Sequence, residues 1–243
     1  FSITKWSWDK AAASRIIRRS TPLLLSSLAS IIFYKIDIVM LEHLVSSSAV
    51  GIYSVAAKLS EPWFFFSSAI VTSFFPSVIL IKSKTLRGYY YKLTRINSII
   101  LVLGFSISIF MTLTSYFWIH YLFGNQYHES ISILNVHIWG LPFLFLNNIQ
   151  HLWEVKEKYL KFALIKALFT AILNIVLNIL LIPKYSGLGA AYATVISYIF
   201  VGLIFNITTK KSRLYLKIQL RSFLFYKYLT LREFAEILNK VKK

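Results

Sequence analysis

The residues with chemistry to offer sit where an apolar chain tolerates them least. One long apolar run carries Lys35 and Asp37, and the next carries Lys58 and Glu61. An ionised side chain in a membrane-spanning helix costs about 2.5–3.5 kcal/mol on insertion, so it faces protein or a wet cavity rather than lipid. Two readings are open: ion pairs that staple one helix to the next, or a lining for a polar or anionic substrate. Counting inward from the joining turn at about 1.5 Å per residue, Asp37 and Lys58 lie some 12–14 Å down, and Lys35 and Glu61 some 15–18 Å. Lys35 and Asp37 are two positions apart and point about 200° away from each other, so the spacing favours one pairing across the hairpin. Asp37 with Lys58 is the expected pair, leaving Lys35 or Glu61 to face a cavity.

A polar stripe follows later in the chain, where Lys166, Thr170, Asn174 and Asn178 recur every four residues along one gently winding face of a helix. Asn174 and Asn178 join the four charges as candidate cavity residues. They are expected to face the interior, because amides against lipid leave hydrogen-bonding groups unsatisfied. Lys166 lies near enough to a boundary to extend its ammonium outward. Asn147, Asn148, Gln150 and His151 suit either bonding across helices or contact with a ligand.

The elements that must position these residues are membrane-spanning helices. A hydrocarbon core about 30 Å thick takes about 20 helical residues, and six apolar stretches reach that length: Pro22–Leu44, Val50–Phe74, Ile96–Ile119, Ile131–Leu152, Leu160–Ile182 and Leu188–Thr208. Pro22 suits the first turn of its helix, while Pro62, Pro76 and Pro142 are expected to kink or stop theirs. Basic residues cluster ahead of the first stretch and in alternate loops, whereas Val45–Ala49, His120–Ser130 and Pro183–Gly187 hold only Lys184. Basic loops stay in the cytoplasm, which puts both ends of the chain there. Trp6, Trp8, Tyr89, Tyr90, Tyr91, Trp118, Tyr121, Trp153 and Tyr159 lie near the boundaries, as an interfacial belt requires. Gly187, Gly189, Ala190, Ala191 and Ala193 read as a close helix-packing surface.

The chain thus divides into a lead-in (1–21), a six-helix lobe (22–208) and a basic tail (209–243). In the tail, Thr230 with Glu233 forms a capping box, and Leu231, Phe234, Leu238 and Val241 recur at helical spacing. An amphipathic helix on the inner leaflet is expected there.

Composition agrees with a lipid solvent: 57% of residues are apolar and only 15% charged, against roughly 25% charged in soluble domains, and the mean hydropathy is +0.63. The net charge of +18 falls between apolar runs without forming a continuous basic face, so anionic headgroups rather than nucleic acid are the expected partner. The chain begins with Phe1 and its first twenty residues lack the apolar core of a signal peptide, so it reads as part of a longer protein. With no cysteine there is no disulfide or thiolate site. No Walker loop, dinucleotide fingerprint, His-Glu-x-x-His or Gly-x-Ser-x-Gly occurs. No catalytic residue, resident metal or cofactor is expected, and the reading is that of a non-enzyme.

Two stretches carry a family resemblance. Tyr34-Lys35-Ile36-Asp37-Ile38-Val39-Met40-Leu41 with Ala49 through Glu61 resembles the seventh and eighth helices of polysaccharide-repeat flippases. These are the O-antigen and capsule transporters of the multidrug, oligosaccharidyl-lipid and polysaccharide exporter superfamily. Asn174 through Tyr185 with Gly189 through Tyr198 is similar to their eleventh and twelfth. The resemblance spans Trp6 to Thr208 and implies the carboxyl-terminal lobe of a two-lobe, all-α transporter in a bacterial inner membrane. Such a transporter moves undecaprenyl-pyrophosphate-linked oligosaccharide by alternating access, driven by an ion whose identity stays open. Lys35 would attract a pyrophosphate as a point charge. The implied partner is an amino-terminal lobe or a second half-size chain. A cation-coupled drug exporter, a membrane-embedded glycan-assembly enzyme and a non-transporting scaffold are the competing readings.

Overall fold

The structure, a computed structural model, describes residues 9–73, 76 and 86–224. Every regular element among them is helical: α1 (Lys10–Leu44), α2 (Ser47–Ser73), α3 (Leu86–Phe123), α4 (Glu129–His137), α5 (Leu141–Lys156), α6 (Leu160–Gly202) and α7 (Lys210–Ser222), with short 3-10 turns between. The Asp9 carboxylate accepts a hydrogen bond from the Ala11 amide at 2.9 Å and starts α1, as an N-cap does. Because α1 begins at Lys10, position 22 lies in its interior and not in its first turn as expected. Pro62 sits inside α2, which continues past it. Pro142 opens α5, where a missing N–H costs nothing. The fourth expected span is therefore two helices in line, separated by the 3-10 turn Ile138–Gly140.

α6 is a hairpin. Ser186 has φ 50° and ψ −134°, a single-residue reversal where a five-residue loop was expected. The limbs 160–185 and 187–202 then run antiparallel. The rings of Phe169 and Phe200 are 5.5 Å apart, whereas a straight helix would separate them by about 46 Å. Glycine is required at 189, since a Cβ there would collide with the Leu181 carbonyl. The adjoining Ala190, Ala191 and Ala193 are fully buried.

Six rods result: α1, α2, α3, the α4–α5 pair and the two limbs of α6. Among the described residues, four segments are long and apolar enough to cross a membrane, Leu24–Leu44, Arg87–Phe123, Glu129–Lys156 and the doubled-back Leu160–Ile207. The first limb of α6 identifies the solvent. Its Lys166, Thr170, Asn174 and Asn178 point inward, while Ile165, Leu168, Ile172, Val176 and Ile179 point outward; Ile172 is 60% exposed and Asn174 0%. In water that amphipathicity would be reversed. The chain is a polytopic helical membrane protein.

Within the segment set apart as a tail, α7 starts from a capping box between Thr209 and Ser212 and packs on α3. Tyr215 meets Asn97 at 3.3 Å, and Ser98 donates to the Ser222 carbonyl at 3.0 Å. The helix expected around Leu231 to Val241 lies outside the described residues, as do Trp6 and Trp8. Trp153 is not a belt residue: it is buried, 4.7 Å from the Tyr215 ring.

Candidate functional site

Asp37 lies buried where α1 meets both limbs of α6. Its Oδ1 accepts from Asn178 Nδ2 at 2.6 Å, and its Oδ2 from Thr194 Oγ1 at 2.7 Å and Tyr53 OH at 2.8 Å. All three donors are uncharged. Asn174 is joined to the cluster because its Oδ1 accepts from Asn178 Nδ2 at 3.2 Å. Asn174 Nδ2 and Asn178 Oδ1 are buried with no hydrogen-bond partner. Beside the carboxylate is a space of about 20 Å³, bounded by Phe33, Tyr53, His137 and Tyr198 among others, which is close to what one water needs. His137 is held there by a 2.8 Å bond to Ser60. Among the described residues no three His, Cys, Asp or Glu side chains gather as a metal site. The oxygens of Asp37, Asn174, Asn178 and Thr194 are of the hard, oxygen-only type that suits a small cation.

The expected ion pair of Asp37 with Lys58 does not form. Lys58 is exposed on α2, and the pair across the hairpin is Lys35 with Glu61, Nζ to Oε1 at 3.5 Å. Depth matched for both pairings, but azimuth decided: Asp37 turns toward α6 and the Tyr53 hydroxyl, away from the exposed Lys58, whereas Lys35, on the opposite face of α1, meets Glu61. The Lys35 and Glu61 side chains are 61% and 48% exposed. They line a groove of about 440 Å³ together with Ile31, Tyr34, Phe65 and Asn148.

Lys166 does not extend outward either. It is buried and bonded to Glu154 Oε1 at 2.5 Å. Glu154, placed by sequence at the edge of a loop, is fully buried one turn along α5 from Gln150, whose Nε2 donates to Glu154 Oε1 at 2.9 Å. Gln150 also exchanges hydrogen bonds with Asn206, and Gln219 of α7 joins both. Gln150 is thus a structural tie, whereas Asn147, Asn148 and His151 face a polar cavity of about 210 Å³ whose walls include Ser26, Ser30, Tyr34, Glu154 and Lys166. Sequence reasoning missed Tyr53 and Thr194 beside Asp37, and Glu154 as the buried partner of Lys166. The available signal for Glu154 was its four-residue spacing from Gln150.

Comparison with known proteins adds to this geometry. Residues 2–132, just over half the chain, match the family described as polysaccharide biosynthesis protein. An uncharacterized membrane protein of Methanocaldococcus jannaschii is 27% identical over 191 residues, covering 78% of this chain and 44% of that protein. A solved outward-facing multidrug resistance transporter of the MATE family, in the MOP superfamily, superposes with TM-score 0.59 at 23% identity, over 81% of this chain and 45% of its own. That likeness is one of fold. The chain spans less than half the length of each of these two proteins.

Proposed function

Because the chain belongs to the polysaccharide biosynthesis protein family, we propose that it forms one lobe of a transporter that carries lipid-linked oligosaccharide, of the undecaprenyl-pyrophosphate type, across a bacterial inner membrane. No bond is made or broken. The lobe works by alternating access with a partner lobe, either an amino-terminal half or a second half-size chain, and its basic segments face the cytoplasm.

The observation that carries this reading is the Lys35–Glu61 pair, exposed on the flank of the lobe among apolar side chains. Charges at that depth in lipid are costly, so the flank faces a polar passage shared with the partner lobe. Lys35 supplies positive charge for a pyrophosphate there. Asp37 supplies the coupling. A buried carboxylate held only by neutral donors calls for a compensating positive charge, and a proton or small cation that binds Asp37 would set the packing of α1 against α6.

The fold likeness to a multidrug transporter supports drug export as the second reading. Disrupting the gene separates the two. Saccharide-linked lipid should accumulate on the cytoplasmic leaflet with unchanged sensitivity to cationic drugs. Normal leaflet distribution with increased drug sensitivity would favour the exporter.

A further inference from the structure

We propose that the polar cavity between α1, α5 and the two limbs of α6 is the path by which protons reach Asp37 from one end of the lobe, with the Tyr198 hydroxyl as the last relay. The inference rests on the coupling role given to Asp37 above and deepens it by naming the ion and its route. Three observations carry it.

The first is continuity. Three rows of residues lead from the cavity to Asp37 at helical spacing. On α1, Ser26 and Ser30 line the cavity, Phe33 and Tyr34 stand one turn further, and Asp37 one turn beyond them. On the first limb of α6, Lys166 and Thr170 line it, and Asn174 and Asn178 continue the row to the carboxylate. On the second limb, Tyr198 stands one turn from Thr194, which bonds Asp37. Holding Asp37 takes only the last member of each row, so the rest of the polar stripe is left to serve as the wall of a path. The volume of about 210 Å³ is many times the roughly 10–15 Å³ that one water needs, and the Lys166 ammonium on its wall is neutralised by Glu154.

The second is closure on the other side. One turn past Asp37 on α1 is Leu41, one turn past Asn178 is Ile182, and one turn before Thr194 is Ala190. All three are apolar and 0% exposed. The rows carry polar groups toward the end of the lobe where α1 and α6 begin, and turn apolar toward the reversal at Ser186. Asp37 therefore communicates with the first end and is sealed from the second.

The third is the neck, which selects the ion. Phe33, Tyr34 and Tyr198 line both the cavity and the space of about 20 Å³ beside Asp37, and the rings of Phe33 and Tyr198 meet edge to face with centroids 5.0 Å apart. A metal ion there meets aromatic rings and two hydroxyls, too few oxygens to replace a hard cation's shell of about six. A proton needs only a hydroxyl and a water. Tyr198 supplies the hydroxyl, buried with no hydrogen-bond partner, and the space beside Asp37 has room for one water. A hydronium in the cavity gives its proton to the Tyr198 oxygen as the Tyr198 O–H proton leaves for that water, which passes one of its own to Asp37 Oδ2. Tyrosine and water end as they began, and one positive charge has moved from the cavity to Asp37. The Thr194 and Tyr53 hydroxyls that donate to Oδ2 can turn to accept the new proton. The titratable groups around the carboxylate are Tyr34 on α1, Tyr53 and Glu61 on α2, His137 on α4 and Tyr198 on α6. Of these, Glu61 is paired with Lys35 and His137 is held by Ser60.

Two measurements test this, and neither needs cargo. In membrane vesicles of either orientation, Ser30→Cys and Ala167→Cys should react with an impermeant thiol reagent only from the face that also labels Lys217→Cys, the sequence having no cysteine of its own. Reaction from the face that labels Asn125→Cys, or from neither, overturns the path. In the purified protein, infrared difference spectroscopy follows protonation of Asp37 after a jump from alkaline to acid medium, as the carboxyl band that Asp37→Asn lacks. Tyr198→Phe removes only the relay hydroxyl, and Ala167→Leu fills the cavity wall from the other limb of α6. Each should slow the band's appearance by about fivefold, the loss of roughly one hydrogen bond, and leave its final size unchanged. The two changes lie on different limbs, and a variant counts when it melts as the wild type does. A band that never forms on acidification, as for a site that holds a metal cation, overturns the proposal, and so do unchanged rates in a correctly folded variant. Translocation without this path would discard the proton route and keep the transporter. The path without translocation would do the reverse.

Discussion

Two buried carboxylates, Asp37 and Glu154, differ in the company they keep. Glu154 has Lys166 as counter-ion and is locked into an amide network, the pattern of a structural pair. Removing one partner strands the other, so Glu154→Ala should destabilise the protein by about 3–5 kcal/mol, whereas Glu154→Leu with Lys166→Met should recover most of it. Thermal melts of the single and double variants check this. Among the described residues Asp37 has no counter-ion, so Asp37→Asn should leave the melting temperature near that of the wild type while abolishing transport. A large fall in melting temperature would instead make Asp37 a structural group. Asn174 and Asn178 were legible from sequence because a four-residue repeat encodes one face of one helix. The partner of Asp37 was not, because two helices that match in depth still leave each other's rotation free. The Gln150–Asn206–Gln219 tie joins positions far apart in sequence that carry no shared local pattern.

At the scale of elements, the reversal at Ser186 is the place where backbone conformation and residue type disagree. A non-glycine residue at φ 50° and ψ −134° stores about 1–3 kcal/mol. Ser186→Gly should therefore raise stability by up to that amount, and Gly189→Ala should lower it by collision with the Leu181 carbonyl. Chemical denaturation of the two variants decides the sign of each. The existence of the helices was legible from apolar run length, and Pro183 with Gly187 marked the neighbourhood of the turn. The tightness of the turn was not, since nothing local distinguishes a five-residue loop from a one-residue reversal. Likewise the 3-10 break at Ile138–Gly140 interrupts a run whose apolar pattern is continuous. It is held in place from another helix by Ser108, which donates to the Ile138 carbonyl at 2.9 Å.

At the scale of the whole molecule, the basic segments are expected to stay on the cytoplasmic side. Single cysteines at Ser47, Asn125 and Ser186 should react with an impermeant thiol reagent added outside intact cells, and one at the exposed Lys217 should not. The reverse pattern refutes the assignment of sides. The lobe itself was legible because a lipid solvent leaves a coarse signature: long apolar runs, alternating loop charge, and polar groups confined to one stripe. The cavity beside Lys166 was not, because α1, distant in sequence, closes it against α5 and α6. The central claim, saccharide-lipid transport that depends on Asp37, is tested most directly in membrane vesicles from cells that express the protein, oriented with the cytoplasmic face outward. The measurement is the rate at which a fluorescent lipid-linked saccharide becomes inaccessible to an impermeant quencher. The account predicts a rate well above that of vesicles from cells lacking the gene, falling to that background in Asp37→Ala at equal protein level; equal rates with and without the gene would contradict it.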